Sequence, residues 1–277
     1  MSVDNIELSF EFFPPKSEEG VKKLHTTHEA LCLHEPEFFS VTYGAGGSTQ
    51  ETTIKTVIDL NKKGVSTAPH ISCVGATEEK IHELLSFYRE NNVTRLVALR
   101  GDLPSGMGGG AGRFTYAADL VAFIQHHYPK QFHIEVAAYP EVHPQARDCD
   151  TDLYNFINKV ESGANGAITQ YFYNADSYLY FRDRVEKAGC EVKITPGIMP
   201  IVNFGNLLRF SDACGAEIPR WIQKKMEGFR DDTNGIKAFG HEVVTSLCQR
   251  LVSEGVDSLH FYTMNQSEPC TQIIREL

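Results

Sequence analysis

The chain lacks any apolar run approaching the ~20 residues that a membrane span requires. Met1–Glu7 is polar and acidic, without the basic start and apolar middle of a secretory leader. These absences argue against a helical membrane protein and a secreted one, and a cytoplasmic protein is expected. Basic charge is scarce: 26 Lys and Arg stand against 36 Asp and Glu, a net charge of −10. No basic cluster relieves that balance, which argues against a nucleic-acid partner. Any anionic ligand must then find a local basic pocket. No two cysteines among Cys32, Cys73, Cys149, Cys190, Cys214, Cys248 and Cys270 have C-x-x-C spacing, and the count is odd. Buried reduced thiols fit better than a disulfide framework or a zinc ribbon.

What is present is a regular alternation along 277 residues of otherwise ordinary globular composition. Eight short apolar or aromatic runs stand near Leu8–Phe13, Phe38–Tyr43, Thr67–Ser72, Leu96–Arg100, Ile134–Tyr139, Ala167–Phe172, Val192–Ile198 and Leu259–Met264. Most are near-continuous rather than alternating, the pattern of parallel strands covered by helices. Helical stretches separate them: Ser17–Leu33, Gln50–Lys63, Thr77–Asn91, Ala117–His127, Asp152–Ser162 and Ser177–Ala188. Three more, Asn206–Cys214, Pro219–Glu227 and Ile236–Glu254, fill the gap before the last strand. Strand then helix, eight times, predicts a (β/α)8 TIM barrel formed by one domain over residues 1–277. The nearest alternative, a doubly wound open sheet, needs a glycine-rich phosphate loop at the first strand–helix turn. That turn is Phe13-Pro14-Pro15-Lys16. The Gly-rich segment Ser105–Gly112 does not open a helix directly after a strand, so it is no dinucleotide fingerprint.

Chemistry in such barrels gathers at the C-terminal ends of the strands. Those ends carry Glu11; Thr42 and Tyr43; His70; Arg100 and Asp102; Tyr139, Glu141 and His143; Gln170 and Tyr171; and Tyr262, Asn265 and Gln266. The fourth is the most suggestive. Arg95–Leu99 runs into Arg100-Gly101-Asp102, a cation, a flexible glycine and a carboxylate, and then into the Gly-rich segment, as the floor and lid of a site would. Glu11 lies between Phe10 and Phe12-Phe13. If it points inward, burial raises its pKa and suits it to act as a general acid. An outward Glu11 in a salt bridge is the bland alternative. Glu11, His70, Glu141 and His143 offer metal-ligand types, but without paired-His spacing. Phe210 and Trp221 read first as packing residues, and Lys62, Lys63, Lys224 and Lys225 as solvated charge.

Taken together the strand-end motifs are specific. Phe10-Glu11-Phe12-Phe13-Pro14-Pro15, Ser40-Val41-Thr42-Tyr43-Gly44, Ala68-Pro69-His70, Ala98-Leu99-Arg100-Gly101-Asp102, Ala137 to Pro144, Ile168-Thr169-Gln170, Pro196-Gly197-Ile198 and His260-Phe261-Tyr262-Thr263 resemble methylenetetrahydrofolate reductase, in order, from about Ser9 to Glu268. The resemblance is to the bacterial form, a catalytic barrel without the eukaryotic regulatory domain.

It implies a flavoenzyme that holds FAD across the barrel mouth, is reduced by NAD(P)H, and then reduces methylenetetrahydrofolate to methyltetrahydrofolate in a ping-pong cycle that supplies methyl groups for methionine synthesis. By the same resemblance FAD contacts fall on Thr42, His70, Arg100, Gly101, Asp102, Tyr116, Ala117, Tyr139, His143, Asp152, Lys159 and Ile168. Arg100, His143 and Lys159 would meet the diphosphate. Glu11 is the implied acid, Asp102 the charge beside the reactive edge, Gln170 the partner of the pterin, and Phe210 a wall beside the substrates. Two positions depart from the family pattern on the substrate side: Gln266 stands where relatives carry Arg, and Asn206 where they often carry Gln. NADH is the expected donor and a homo-oligomer the expected assembly. Three other readings remain: a metal-dependent hydrolase or lyase, a Schiff-base aldolase, for which no strand ends in Lys, and a non-catalytic flavin- or folate-binding barrel.

Overall fold

A computed structural model describes residues 6–43, 47–101 and 113–277, with backbone alone at 47–49. Asp102 and the Gly-rich segment Ser105–Gly112 therefore lie outside the described residues. The strands are β1 (Glu7–Phe12), β2 (Phe38–Val41), β3 (Thr67–Ser72), β4 (Arg95–Leu99), β5 (His133–Ala138), β6 (Gly166–Thr169), β7 (Lys193–Thr195), β8 (Gly197–Ile198) and β9 (Ser258–Tyr262). The helices are α1 (Glu18–Cys32), α2 (Gly47–Asn61), α3 (Glu78–Glu90), α4 (Ala117–His127), α5 (Cys149–Glu161), α6 (Ala175–Lys187), α7 (Phe204–Cys214), α8 (Arg220–Phe229), α9 (Thr233–Ser253) and α10 (Glu268–Ile274).

All neighbouring strands pair in parallel, in the order β7-β6-β5-β4-β3-β2-β1-β9-β8. The sequence reading treats Val192–Ile198 as one strand, but the structure divides it at Pro196, which has no N–H to give a ladder. Its first half pairs with β6 and its second with β9, so the interruption also closes the eight-stranded barrel. The carbonyl of Pro196 still accepts from His260 N at 3.0 Å. Gly197 donates to Thr169 Oγ1 at 2.8 Å, and a Cβ on it would fall 2.1 Å from Thr169 O. Only a glycine lets the two backbones approach this closely.

Side-chain alternation decides what faces the barrel axis. Phe10 and Phe12 are fully buried on the outside, stacked on Phe39 at 5.9 and 5.3 Å. Phe10 also meets Phe261 at 5.9 Å, and His28 of α1 packs on Phe39 at 4.5 Å. Ser9 and Glu11 must then point inward. The inward set is polar to an unusual degree for a barrel core. At its base Arg95 pairs with Glu37 at 2.5 Å and Glu135 at 3.1 Å, and its guanidinium lies 4.2 Å over Phe38. His260 stacks on the same Phe38 ring, at 5.7 Å.

Strand-end residues begin the helices with the expected chemistry. Ser17 caps α1, accepting from Gly20 N, and Thr77 caps α3, accepting from Lys80 N. For α5 the cap is Asp148, so the helix starts at Cys149, three residues before the expected Asp152. The short α10, which carries Pro269 in its first turn, is not foreseen from the sequence. No described helix is long and apolar enough to cross a membrane.

Gly197→Ala should lower stability by about 1–3 kcal/mol, the usual cost of overpacking. Urea denaturation checks this. An unchanged midpoint would mean that the seam at Pro196 yields without cost.

Candidate active site

The C-terminal mouth of the barrel holds a cavity of about 510 Å³, the size range of small-molecule sites. Its lining draws on nearly every strand end: Glu11 and Phe13, Thr42, His70, Leu99 and Arg100, Ala137, Tyr139 and His143, Ile168 and Gln170, and Tyr262 and Met264. Helix α7 adds Phe210, Ala213 and Cys214. Eleven residues singled out from the sequence, Tyr171 and Tyr262 among them, thus converge there.

Glu11 forms the floor. Its side chain is 12% exposed, and its Oε2 lies 3.3 Å from His70 Nε2 and 4.0 Å from His260 Nε2. The aromatic neighbours in sequence do not surround it, because alternation turns Phe10 and Phe12 to the other face. Two imidazoles and the barrel interior form its surroundings instead. Desolvation raises the pKa of Glu11, and His70 opposes this only in part. Desolvation lowers the pKa of His70, which Glu11 opposes and His260 reinforces. His260 is fully buried and pushed down to about 3, chiefly by desolvation. Burial therefore shifts both imidazoles toward their neutral forms and the carboxyl toward its protonated form. Ser9 Oγ lies 2.7 Å from His260 Nδ1 and orients that ring. The backbone of Glu11 is fixed from the other side by Thr263, whose hydroxyl donates to Glu11 O at 2.6 Å.

The basic groups fall on one wall. Among the described residues Arg100 makes no ion pair; its guanidinium donates to Gln145 Oε1 and to Gly101 O. Gly101 has φ +86°, and a Cβ there would fall 1.8 Å from Ser72 Oγ, so glycine is required. His143 Nδ1 accepts from Gln145 N at 3.0 Å, which leaves the ring proton on Nε2. The backbone N of His143 is in turn held by Asp152 Oδ2 at 2.9 Å. Lys159 stands behind the wall. Its ammonium donates to Ala137 O at 2.5 Å, and burial pushes it down to about 8 against the opposing pull of Asp152.

Other expected residues are not cavity-lining. Tyr116 is exposed at the N-cap of α4, with Ala117 the first residue of that helix. Asn206 lies in the exposed first turn of α7, its Oδ1 3.3 Å from Arg209. Gln266 sits in the turn after β9, where its N donates to Thr263 O. Asn265 is a structural residue: its side-chain amide bonds both N and O of Phe13, at 2.9 and 3.0 Å. Glu141 turns from the cavity to accept from Glu217 N at 2.7 Å, away from any arrangement with Glu11 and His70. Among the described residues no group of three His, Cys, Asp or Glu side chains is placed to hold a metal ion. The contribution of α7 is the part that sequence reasoning largely missed. Only Phe210 and Asn206 are singled out there, and nothing in the sequence marks Cys214.

The family model of methylenetetrahydrofolate reductase matches residues 1–277. The 5,10-methylenetetrahydrofolate reductase of Buchnera aphidicola subsp. Schizaphis graminum is 41% identical over 266 residues, covering 96% of this chain and 89% of its own. That of Escherichia coli strain K12 is 41% identical over 264 residues, covering 95% and 88%. Among solved structures, an uncharacterized protein from Clostridium thermocellum that binds two copies of 5-methyl-5,6,7,8-tetrahydrofolic acid superposes with a TM-score of 0.67 at 16% identity, over 99% of this chain and 96% of that one. That likeness bears on the fold.

The position of Glu11 predicts a pH-dependent stability. Between its unfolded and folded pKa values the native state binds the extra proton, so stability falls as pH rises through that window. Glu11→Gln removes the titrating group. The variant should gain on the unaltered protein as pH rises above the ordinary carboxylate range, by about 2–4 °C in Tm for each 1 kcal/mol, until the raised Glu11 pKa is passed. A difference in Tm that stays constant across that range would contradict the assignment.

Proposed function

The chain belongs to the methylenetetrahydrofolate reductase family, a family of oxidoreductases, and from that premise we propose that it reduces 5,10-methylenetetrahydrofolate to 5-methyltetrahydrofolate with FAD as cofactor and NADH as donor, in a ping-pong cycle. The observation that carries this reading is a single carboxyl, Glu11, buried at the floor of a cavity of about 510 Å³ with two imidazoles beside it.

The wall of the cavity suits FAD. A guanidinium with no ion pair among the described residues, Arg100, stands beside the His143 imidazole, in a chain whose net charge is −10. A diphosphate answers that pair, and Lys159 behind Ala137 adds charge from the second layer. Apolar Leu99, Ala137 and Ile168 offer a flat lining for a fused ring, with Thr42 and Tyr139 at its margin. The chemistry such a group supplies is hydride relay from nicotinamide to folate. Among the described residues Arg100 is the only Lys or Arg lining the cavity. With Arg100 given to the diphosphate, no other Lys or Arg among the described residues lining the cavity answers a 2′-phosphate, which favours NADH over NADPH.

The protein's own task is the proton. The five-membered ring of the folate must open before its methylene carbon can accept a hydride. Opening leaves an iminium cation and an amine nitrogen that needs a proton. Glu11 holds that proton because burial disfavours its carboxylate. Once the proton is given, the carboxylate faces the cation it helped to form, and His70 at 3.3 Å is placed to steady it. Gln170 presents an oriented amide. Its Oε1 accepts from Tyr171 N at 3.0 Å, which leaves its NH2 for the acceptor edge of a pterin. Asp102, two residues past Arg100, is assigned from sequence alone as the second carboxylate, stabilising the iminium.

The visible spectrum of the purified protein tests the reading first. Flavin bands that bleach with NADH under anaerobic conditions and return on adding methylenetetrahydrofolate support both half-reactions. A protein that cannot be loaded with FAD would refute it. Glu11→Gln should bleach normally with NADH but lose about 10²–10⁴-fold in the folate step, the usual range for a general acid. In the unaltered protein that step should slow as pH rises through the Glu11 pKa, because the acid form is then depleted. Asp102→Asn should raise the flavin potential, since a negative charge no longer opposes reduction, yet slow the folate step; a lowered or unchanged potential would remove Asp102 from this role.

A further inference from the structure

Helix α7 is held to the barrel by few groups. Of its eleven residues only Leu207 and Ser211 are buried. Ser211 is a hydroxyl, and its partner is another, Tyr171 at the end of β6, with Oγ and the phenol oxygen 2.9 Å apart and both residues buried. The thiol of Cys214, one turn further on, donates to the same phenol oxygen at 3.4 Å. The phenol oxygen accepts from the thiol, and in its bond to Ser211 either hydroxyl can be the donor. Tyr171 cannot swing away, because its ring is enclosed by Tyr173 at 5.8 Å and Tyr262 at 6.4 Å, and Tyr262 is itself fixed to Thr169 O at 2.6 Å. The C-terminal end of α7 is set separately: Gly215, at φ +74°, abuts Pro144, where a Cβ would fall 2.5 Å from the ring.

Tyr171 has a second attachment. Its backbone N–H holds the side-chain amide of Gln170. One residue thus fixes the orientation of the amide on one wall of the cavity and the seat of the helix that brings Phe210 to another. We propose that Tyr171 is a positioning residue for substrate, and that its bond to Ser211, supported by Cys214, is the catch that sets the distance between Gln170 and Phe210. The inference rests on the reductase reading for the identity of the substrate, and on geometry alone for the catch.

The catch predicts a split in kinetics. Tyr171→Phe and Ser211→Ala should each raise KM for methylenetetrahydrofolate by about tenfold, with kcat held within about threefold, because the reacting groups at Glu11 are untouched. The double variant should match the singles, since both remove one bond. Cys214 supplies a readout that needs no turnover. Its thiol faces the cavity with its proton engaged, whereas Cys149 is exposed. Alkylation by iodoacetamide, followed peptide by peptide with Cys149 as internal standard, should be about tenfold faster at Cys214 in either variant. KM and labelling unchanged within about twofold, or KM effects that multiply in the double variant, would overturn the proposal. So would a loss of kcat in step with Tm at constant KM, the mark of a merely structural residue. If the unaltered protein shows no folate turnover, the reductase reading fails, and the labelling ratio alone decides for or against the catch.

Discussion

A carboxyl group enclosed by the barrel is the constraint on which the rest of the arrangement depends. Burying Glu11 as an anion is costly unless it is paired, and among the described residues no Lys or Arg forms an ion pair with it. The barrel meets this cost by shifting the carboxyl toward its protonated form. The imidazoles of His70 and His260 sit at 3.3 and 4.0 Å, both shifted by burial toward their neutral forms. Had either been cationic, the carboxyl would be drawn to its anionic form and could no longer give up a proton. The deep position of His260, oriented by Ser9, thus matters to the floor of the cavity although it does not line it.

The interior below follows from the same need. A barrel core is ordinarily filled by branched apolar side chains. Here Ser9, Ser40, His260, Glu135 and Arg95 occupy inward positions, and each polar group finds a partner on a nearby strand. Arg95 takes two carboxylates and the face of Phe38, which closes the base of the column without a bare charge. The apolar weight of the fold is carried outside the barrel, where Phe10, Phe12, Phe39 and Phe261 pack against one another. Polarity at the axis and aromatic mass at the periphery let one short strand, β1, deliver a functional acid and a core.

The barrel is legible in the sequence because strands covered by helices leave apolar runs, and helices leave capping residues such as Ser17 and Thr77. The strand ends are legible because chemistry there is written in residue types that a core would not choose: Glu11, His70, Arg100, Gln170. What a linear reading cannot give is direction across the pleat. Phe10 and Phe12 suggest an apolar wall around Glu11, whereas they face away from it. Contacts between distant segments are equally hidden. Nothing near Asn265 says that its amide holds the backbone of Phe13, 252 residues away, and nothing near Ser211 points to Tyr171. Tyr116, Asn206 and Gln266, placed by resemblance at the ligand, sit on a cap, an exposed turn and a strand-end turn outside the cavity lining. The division of the seventh strand at Pro196 is foreshadowed by the proline itself, but which half pairs with which neighbour follows only from closure of the barrel.

The measurement that tests the account most directly is the titration of Glu11 itself. Carbon-13 labelling of glutamate side chains, with the Glu11 resonance assigned by its loss in Glu11→Gln, gives its midpoint beside those of exposed glutamates such as Glu29 and Glu268. The account predicts a midpoint well above theirs. A midpoint equal to or below that of the exposed residues would mean that Glu11 is an anion at neutral pH, and the proton for ring opening would have to come from elsewhere.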